Sequence, residues 1–249
     1  GSEVMKSVQN YTVIENRMLC QDIYRMVLKG DTSWIQNPGQ FMNIAVPGYY
    51  LRRPISICDW SSDSLVLVYK KVGSGTACLS DMEDGTVLEC ITGLGNGFDL
   101  SLAEKETVLI GGGVGIPPLL ACARMLKNKG IAAVAVLGYA DASQIFLKDA
   151  FEQMGVPVHI ATMDGSEGTK GTVIDVLKEQ NLQNMYYMTC GPMGMLKAVH
   201  QTMHNGQLSF EERMGCGFGA CMGCTHKTKN GYKRICTEGP VLDAEEVLW

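Results

Sequence analysis

The sequence predicts a multidomain protein of mixed β and α/β class, with an N-terminal antiparallel β-barrel, a central parallel α/β domain and a small C-terminal domain built around cysteines. Three observations carry this. From Tyr11 to about Leu94, short β-rich runs follow one another with no long helix between them. From Thr107 to Met203, strand and helix patterns alternate, which makes a parallel sheet covered on both faces. Four of the ten cysteines, Cys216, Cys221, Cys224 and Cys236, fall within 21 residues near the end. The expected limits are 3–97, 98–208 and 209–249. The first boundary falls in Gly93-Leu94-Gly95-Asn96-Gly97, read as a flexible glycine stretch, and Gly1-Ser2 is set aside as an expression scar.

In the front half, strands are expected at 11–19, 23–28, 41–46, 55–60, 65–72 and 86–91, with turns at Asn37-Pro38-Gly39 and Val46-Pro47-Gly48. Arg52-Arg53-Pro54-Ile55-Ser56 places a cation and a hydroxyl along one strand, so Arg53 and Ser56 are candidates to hold a phosphate. Gly73-Ser74-Gly75-Thr76 opens a short helix, 76–82, whose first amides bind anions. Each segment alone is read as an ordinary strand end or turn. Together they describe two ends of a dinucleotide's diphosphate.

The back half is expected to run strand 107–110, helix 117–129, strand 132–137, helix 143–154, strand 157–161, helix 173–179, strand 185–189 and helix 193–203. Ligands of such sheets lie beyond the strands' carboxyl ends. There stands Gly111-Gly112-Gly113-Val114-Gly115-Ile116-Pro117, which departs from G-x-G-x-x-G because Ile116 occupies the third glycine's place. Its prolines suit a helix's first turn, so the loop can offer amides and a helix dipole to a pyrophosphate. Cys190-Gly191-Pro192 forms a second strand-to-helix loop at the same edge, and Cys190 is read either as a buried small hydrophobe or as a soft sulfur beside the ligand. Gly138-Tyr139-Ala140-Asp141 carries no cation, which tilts the nucleotide toward NAD over NADP.

A net charge of -5 without a basic run argues against nucleic acid as a partner, and the longest apolar run, near Ile131 to Leu137, is far too short to span a bilayer. With no secretory signal, a cytoplasmic protein with reduced thiols is expected. Cys20, Cys58, Cys78, Cys90 and Cys122 then read as small core residues. The four histidines read as structural, His200 and His204 lying on a helix without the glutamate of a zinc motif.

The C-terminal cysteines are spaced C-x4-C-x2-C-x11-C, and glycines 217, 219 and 223 let the chain fold tightly around one point. The first three spacings are those of a plant-type [2Fe-2S] loop. Structural zinc usually takes two short paired knuckles, whereas Cys236 stands alone. Iron–sulfur is favoured over zinc.

The order Arg53-Pro54-Ile55-Ser56, Gly73-x-Gly75-Thr76, Gly111-Gly112-Gly113-x-Gly115-x-Pro117, Cys190-Gly191-Pro192 resembles the ferredoxin-NADP reductase superfamily. With the terminal cysteines, and Glu211-Glu212-Arg213-Met214 leading into them, the chain looks like the electron transfer subunits of class 1B dihydroorotate dehydrogenase from Tyr11 to its end. This resemblance implies an FAD barrel, a nucleotide-binding domain for NAD and an iron–sulfur domain. It carries flavin contacts to Arg53, Pro54, Ile55, Ser56, Val68, Tyr69, Lys70, Gly75 and Thr76, and cluster ligation to Cys216, Cys221, Cys224 and Cys236. It puts Cys190 near the nicotinamide. It implies a partner, an FMN-containing catalytic subunit that oxidises dihydroorotate in pyrimidine biosynthesis, in a heterotetramer of two of each. Met193-Gly194 follows Cys190-Gly191-Pro192 where many relatives carry an acidic residue, which leaves the adenine side open. Alternatives are a ferredoxin-NAD(P) reductase or sulfide dehydrogenase subunit and, in another class, a zinc-stabilised nucleotide-binding regulator.

Overall fold

The computed structural model describes residues 8–210 and 225–249. Apolar residues alternate along the early strands, and six of them close into an antiparallel barrel in the order β1 (Gln9–Cys20), β2 (Ile23–Lys29), β5 (Ser64–Lys70), β4 (Arg53–Trp60), β3 (Phe41–Ile44) and β6 (Val87–Leu94). Closure leaves no edge to cap. Its interior is filled by Tyr11, Val13, Met26, Leu28, Met42, Ile44, Leu65 and Leu67. The helix α1 (Ser74–Ser80) lies between β5 and β6.

A seven-stranded sheet follows. Its strands and helices run β7 (Glu106–Gly112), α2 (Pro117–Asn128), β8 (Ala132–Tyr139), α3 (Lys148–Gln153), β9 (Val158–Thr162), β10 (Thr169–Lys170), α4 (Val173–Glu179), β11 (Tyr186–Gly191), α5 (Met193–Thr202) and β12 (Gly206–Phe210). After the hairpin of β13 (Thr225–Thr228) and β14 (Gly231–Arg234) come α6 (Ile235–Glu238) and β15 (Val241–Asp243). The sheet order is β10-β9-β8-β7-β11-β12-β15, parallel except for the last pair. Because β8 and β11 flank β7, the chain reverses its direction of travel across the sheet between β7 and β11, and a ligand crevice opens at such a switch point. Gly111–Gly115 and Cys190–Pro192 span the last residues of β7 and β11 and the turns that follow, so topology brings the two sequence motifs together.

The barrel and sheet share one core. Ile23, Cys58 and Val68 pack with Leu119, Cys122 and Ala123 of α2. At its margin Arg124 Nε donates to Asp59 Oδ1 at 2.8 Å and its guanidinium lies 5.2 Å from the Trp60 ring centre. On the other face of the sheet, Ile235, Leu242 and Val247 join Leu196 and Val199 of α5.

Three sequence expectations are corrected. The helix expected at 143–154 is a short 3-10 turn at Ala142–Gln144 followed by α3, because Leu147 adopts φ +65° and breaks the helical run. The expected run of strands and helices to 203 is followed by two strands it does not include, β12 and β15, which extend the sheet. The glycine stretch is no loose linker. Gly93, Gly95 and Gly97 have φ of +70°, +80° and +71°, and a Cβ on Gly95 would come within 2.6 Å of Pro240 Cδ. Gln40 Nε2 donates to the carbonyls of Gly93 and Gly95 at 3.1 and 2.8 Å. Positive φ and close backbone approach are what glycine is needed for there.

Candidate functional site

Two cavities meet between the barrel and the sheet. The smaller, about 290 Å³, is walled on the barrel side by Pro54, Ile55 and Ser56 of β4, Val68, Tyr69 and Lys70 of β5, and Thr76 of α1. Arg53 and Gly75 complete the expected flavin set from behind this wall: a Cβ on Gly75 would run into the Arg53 guanidinium, so that cation lies across the first turn of α1. Strand alternation sorts the two arginines. Arg53 also lies 5.2 Å over the Tyr49 ring, whereas Arg52 bonds the Glu89 carboxylate at 3.1 Å on the other side of the strand. Since α1 has only seven residues, its dipole is short, and Arg53 brings the formal charge a diphosphate needs. Thr76 Oγ1 accepts from the amides of Val72 and Gly73 at 2.9 and 3.1 Å, fixing the turn that opens the helix.

On the cavity wall, Tyr69 is largely buried and donates its hydroxyl to Asn16 Oδ1 at 3.0 Å. Burial pushes the phenol's pKa well up, with the Asn16 bond partly opposing this, so the hydroxyl stays a donor. Asn16 Nδ2 in turn donates to the carbonyls of Leu79 and Met82 at 2.9 and 3.0 Å, holding the end of α1. Sequence reading missed Asn16, because nothing in the sequence of β1 marks an asparagine whose contacts lie more than fifty residues away.

The larger cavity, about 570 Å³, opens at the carboxyl ends of β7, β8 and β11. Gly112 and Gly113 line it directly, as do Gly138, Tyr139 and Ala140. Lys70 is the one cation among the described residues on its wall, which fits a nucleotide whose 2′ position is a hydroxyl. Asp141, by contrast, is spent on its own turn, accepting from the Ser143 amide and hydroxyl at 2.8 and 2.5 Å. Gly111, Gly115, Pro117, Cys190 and Gly191 stand behind the wall and act through packing. A Cβ on Gly115 would collide with the Cys190 carbonyl, and one on Gly191 would approach the Gly112 amide to 3.3 Å. Pro117 and Pro118 occupy the first positions of α2, where no N–H is required.

Lys70 and Val114 belong to both cavities, so the two spaces adjoin. Cys190, 1% exposed, sits in register between Gly111 of β7 and Ser209 of β12, and Ser209 lines the smaller cavity. Cys190 is thus buried, as one of its two sequence readings has it, and its strand neighbour Ser209 lies on the cavity wall. Among the other cysteines, Cys58, Cys90 and Cys122 are buried and their thiols are pushed up by desolvation, Cys90 to about 12, as expected of core residues. The sequence did not reveal that Phe41, Ser209, Phe210 and Pro240 would also wall the smaller cavity.

Cys216, Cys221 and Cys224 lie outside the described residues, as does the side chain of Cys236 on α6. Four thiolates suit an iron–sulfur cluster by their chemistry. The described flanks approach the smaller cavity from both sides, Phe210 before the cysteines and Pro240 after them. Phe210 also stacks on His226 with ring centres 4.5 Å apart, and Trp249 lies 5.4 Å from His226. Trp249 Nε1 donates to His200 Nδ1 at 3.0 Å, so His200 offers its other N–H to the Ala244 carbonyl at 2.8 Å. Both histidines are structural.

Barrel, parallel sheet and adjoining cavities define an oxidoreductase of the ferredoxin-NADP reductase type. Solved structures agree. The chain aligns with an NADH-dependent reduced ferredoxin-NADP oxidoreductase, described for flavin-based electron bifurcation, at TM-score 0.85 and 25% identity over 100% of this chain and 91% of the other. A ferredoxin NADP+ reductase from Neisseria gonorrhoeae aligns at TM-score 0.68 and 15% identity, covering 84% and 95%, which shows the fold. Family models match the oxidoreductase NAD-binding domain at residues 109–201 and the iron-sulfur cluster binding domain of dihydroorotate dehydrogenase B at 211–248. Two relatives, each a dihydroorotate dehydrogenase B (NAD(+)) electron transfer subunit, come from a Geobacillus species (38% identity over 98% of this chain and 100% of the relative) and from Fusobacterium nucleatum (39% identity, 96% and 98%). The chain belongs to this family of electron transfer subunits.

Proposed function

We propose that this chain passes electrons between NAD and the catalytic subunit of a dihydroorotate dehydrogenase, through FAD and a [2Fe-2S] cluster. The observation that carries this is the shared wall of Lys70 and Val114, which sets the cavity at the carboxyl edge of the sheet against the one walled by the barrel. A flavin exchanges two electrons with nicotinamide and one with an iron–sulfur cluster, which is the conversion such a subunit must supply.

In this reading Arg53, Gly75 and Thr76 hold the FAD diphosphate, and Pro54, Ile55, Ser56, Val68, Tyr69 and Lys70 hold its ring system. Gly111, Gly112, Gly113, Gly115 and Gly191 shape the NAD loops, Pro117 starts the helix behind them, and Cys190 packs behind the nicotinamide end of the site. Cys216, Cys221, Cys224 and Cys236 ligate the cluster. The functional units are 3–97, 98–208 and 209–249. The partner carries FMN and assembles with this chain as two of each, in the cytoplasm. Among the described residues no helix is long and apolar enough to cross a membrane.

The purified complex with that catalytic subunit is expected to reduce NAD+ in the presence of dihydroorotate and to show flavin and iron–sulfur absorbance. Reduction of free ferredoxin without any partner would favour the ferredoxin-NAD(P) reductase reading, and a colourless zinc protein would sink both. One variant tests the flavin site. Arg53→Ala removes a charge-assisted hydrogen bond of about 1.5–3 kcal/mol, so FAD should dissociate roughly 10- to 100-fold more readily, measured by flavin release on dilution.

A further inference from the structure

We infer that Asn96 is a positioning residue for electron transfer between flavin and cluster, acting as a clamp on the segment that follows Cys236. Its side chain imitates a peptide group: Nδ2 donates to the Val241 carbonyl at 2.8 Å and Oδ1 accepts from the Val241 amide at 3.1 Å. Its own amide donates to the Gly239 carbonyl at 2.8 Å. Three hydrogen bonds therefore bind one residue between the barrel and the sheet to Gly239 and Val241. Next to it, Gly95 lets Pro240 approach so closely that a Cβ would meet its Cδ at 2.6 Å, and Gln40 holds the Gly95 carbonyl from the barrel side at 2.8 Å.

What is clamped touches the reaction from two directions. Pro240 is a wall of the flavin cavity. Only Thr237, Glu238 and Gly239 separate it from Cys236, which α6 carries. A shift of this segment thus moves a flavin contact and a cluster ligand together. Asn96 is itself exposed, so replacing it removes hydrogen bonds without opening a core cavity.

The step concerned would make and break no bond: a [2Fe-2S] cluster held by the cysteines would accept one electron at a time from a bound flavin that NADH had reduced by two. The proposal rests on Cys236 being a cluster ligand.

The test uses the full holoprotein and two variants, Asn96→Ala and Asn96→Asp, the second keeping the acceptor for Val241 N–H and losing the donor. Anaerobic stopped-flow with NADH should show flavin bleaching unchanged within about twofold, and cluster bleaching slowed about tenfold in Asn96→Ala and less in Asn96→Asp. Hydrogen exchange across residues 239–243 should quicken about tenfold in Asn96→Ala, the scale of one or two lost hydrogen bonds. Unchanged cluster bleaching overturns the proposal, as does slowed flavin bleaching of equal size or unchanged exchange. Cys236→Ser, measured beside them, separates the two ideas. Retained cluster absorbance there would refute the ligand assignment and the proposal with it, whereas cluster loss there with an unaffected Asn96→Ala would refute the clamp alone.

Discussion

Cys224→Ser is expected to yield a folded yellow protein that has lost its iron–sulfur absorbance and most of its iron. Clusters of this kind are held by four thiolates, and serine offers a harder oxygen whose proton is not readily lost. Changes merely to groups around metal ligands cost 10- to 100-fold, so losing a ligand should reduce electron delivery to the partner by roughly 100-fold or more. Reduction of the flavin by NADH should hold within about threefold, because the glycine loop and the barrel wall proposed to serve it are built from other residues. Visible spectra, iron analysis and stopped-flow with NADH give the three readouts. Equal loss of flavin reduction in a folded variant would contradict the separation of inlet from outlet.

Gly115→Ala should strike the other end of the relay. The added Cβ would meet the Cys190 carbonyl and lie 2.5 Å from the Gly191 amide, and these are backbone atoms that cannot swing aside. Relief requires the loop after β7 to part from the loop after β11, the pair that frames the nucleotide cavity. Overpacking of this kind costs about 1–3 kcal/mol. A displacement near 1 Å at a reacting centre costs on the order of 100-fold, so flavin reduction by NADH should slow by about that factor, while cluster absorbance stays intact. Gly194→Ala is the control for stability. Gly194 lines the same cavity, yet nothing lies within 4 Å of its added Cβ and it stands in a helix, so thermal stability should not fall. An unaltered rate in Gly115→Ala would mean that the two loops are not held in the contact described.

Much of the fold was legible because it rests on local periodicity. Alternating residues of β2 and β5 announce strands, and Pro117-Pro118 announces the start of α2. The wall of the smaller cavity was legible as far as Pro54 to Thr76, where its residues cluster in sequence. What escaped was long-range. Phe210 and Pro240 complete a cavity that begins at Phe41, and no local signal ties them to it. The strand character of Val241–Asp243 comes from pairing with β12 and not from three residues of propensity. Gly93 to Gly97 misled in the other direction: composition suggests freedom, but the glycines are there for positive φ and close packing. The break at Leu147 has no glycine or proline to announce it. For the cluster, the spacing of Cys216 to Cys236 together with the family match carries the assignment, since those side chains lie outside the described residues.

The pairing of β12 with β15 sets Ser209 opposite Val241, and the Phe210 amide donates to the Pro240 carbonyl at 2.9 Å. The cysteine-bearing stretch therefore departs and returns at adjacent points of one sheet edge, as an inserted cassette of about thirty residues whose ends are already joined. Closing such an insertion carries an entropy cost that grows only with the logarithm of its length, about 0.6 kcal/mol for a doubling. The insertion is anchored as well as joined, since Ile235 is buried with Leu196 and Val199 of α5 and the Asn96 amide holds the Gly239 carbonyl. A change in its length would have to keep both contacts.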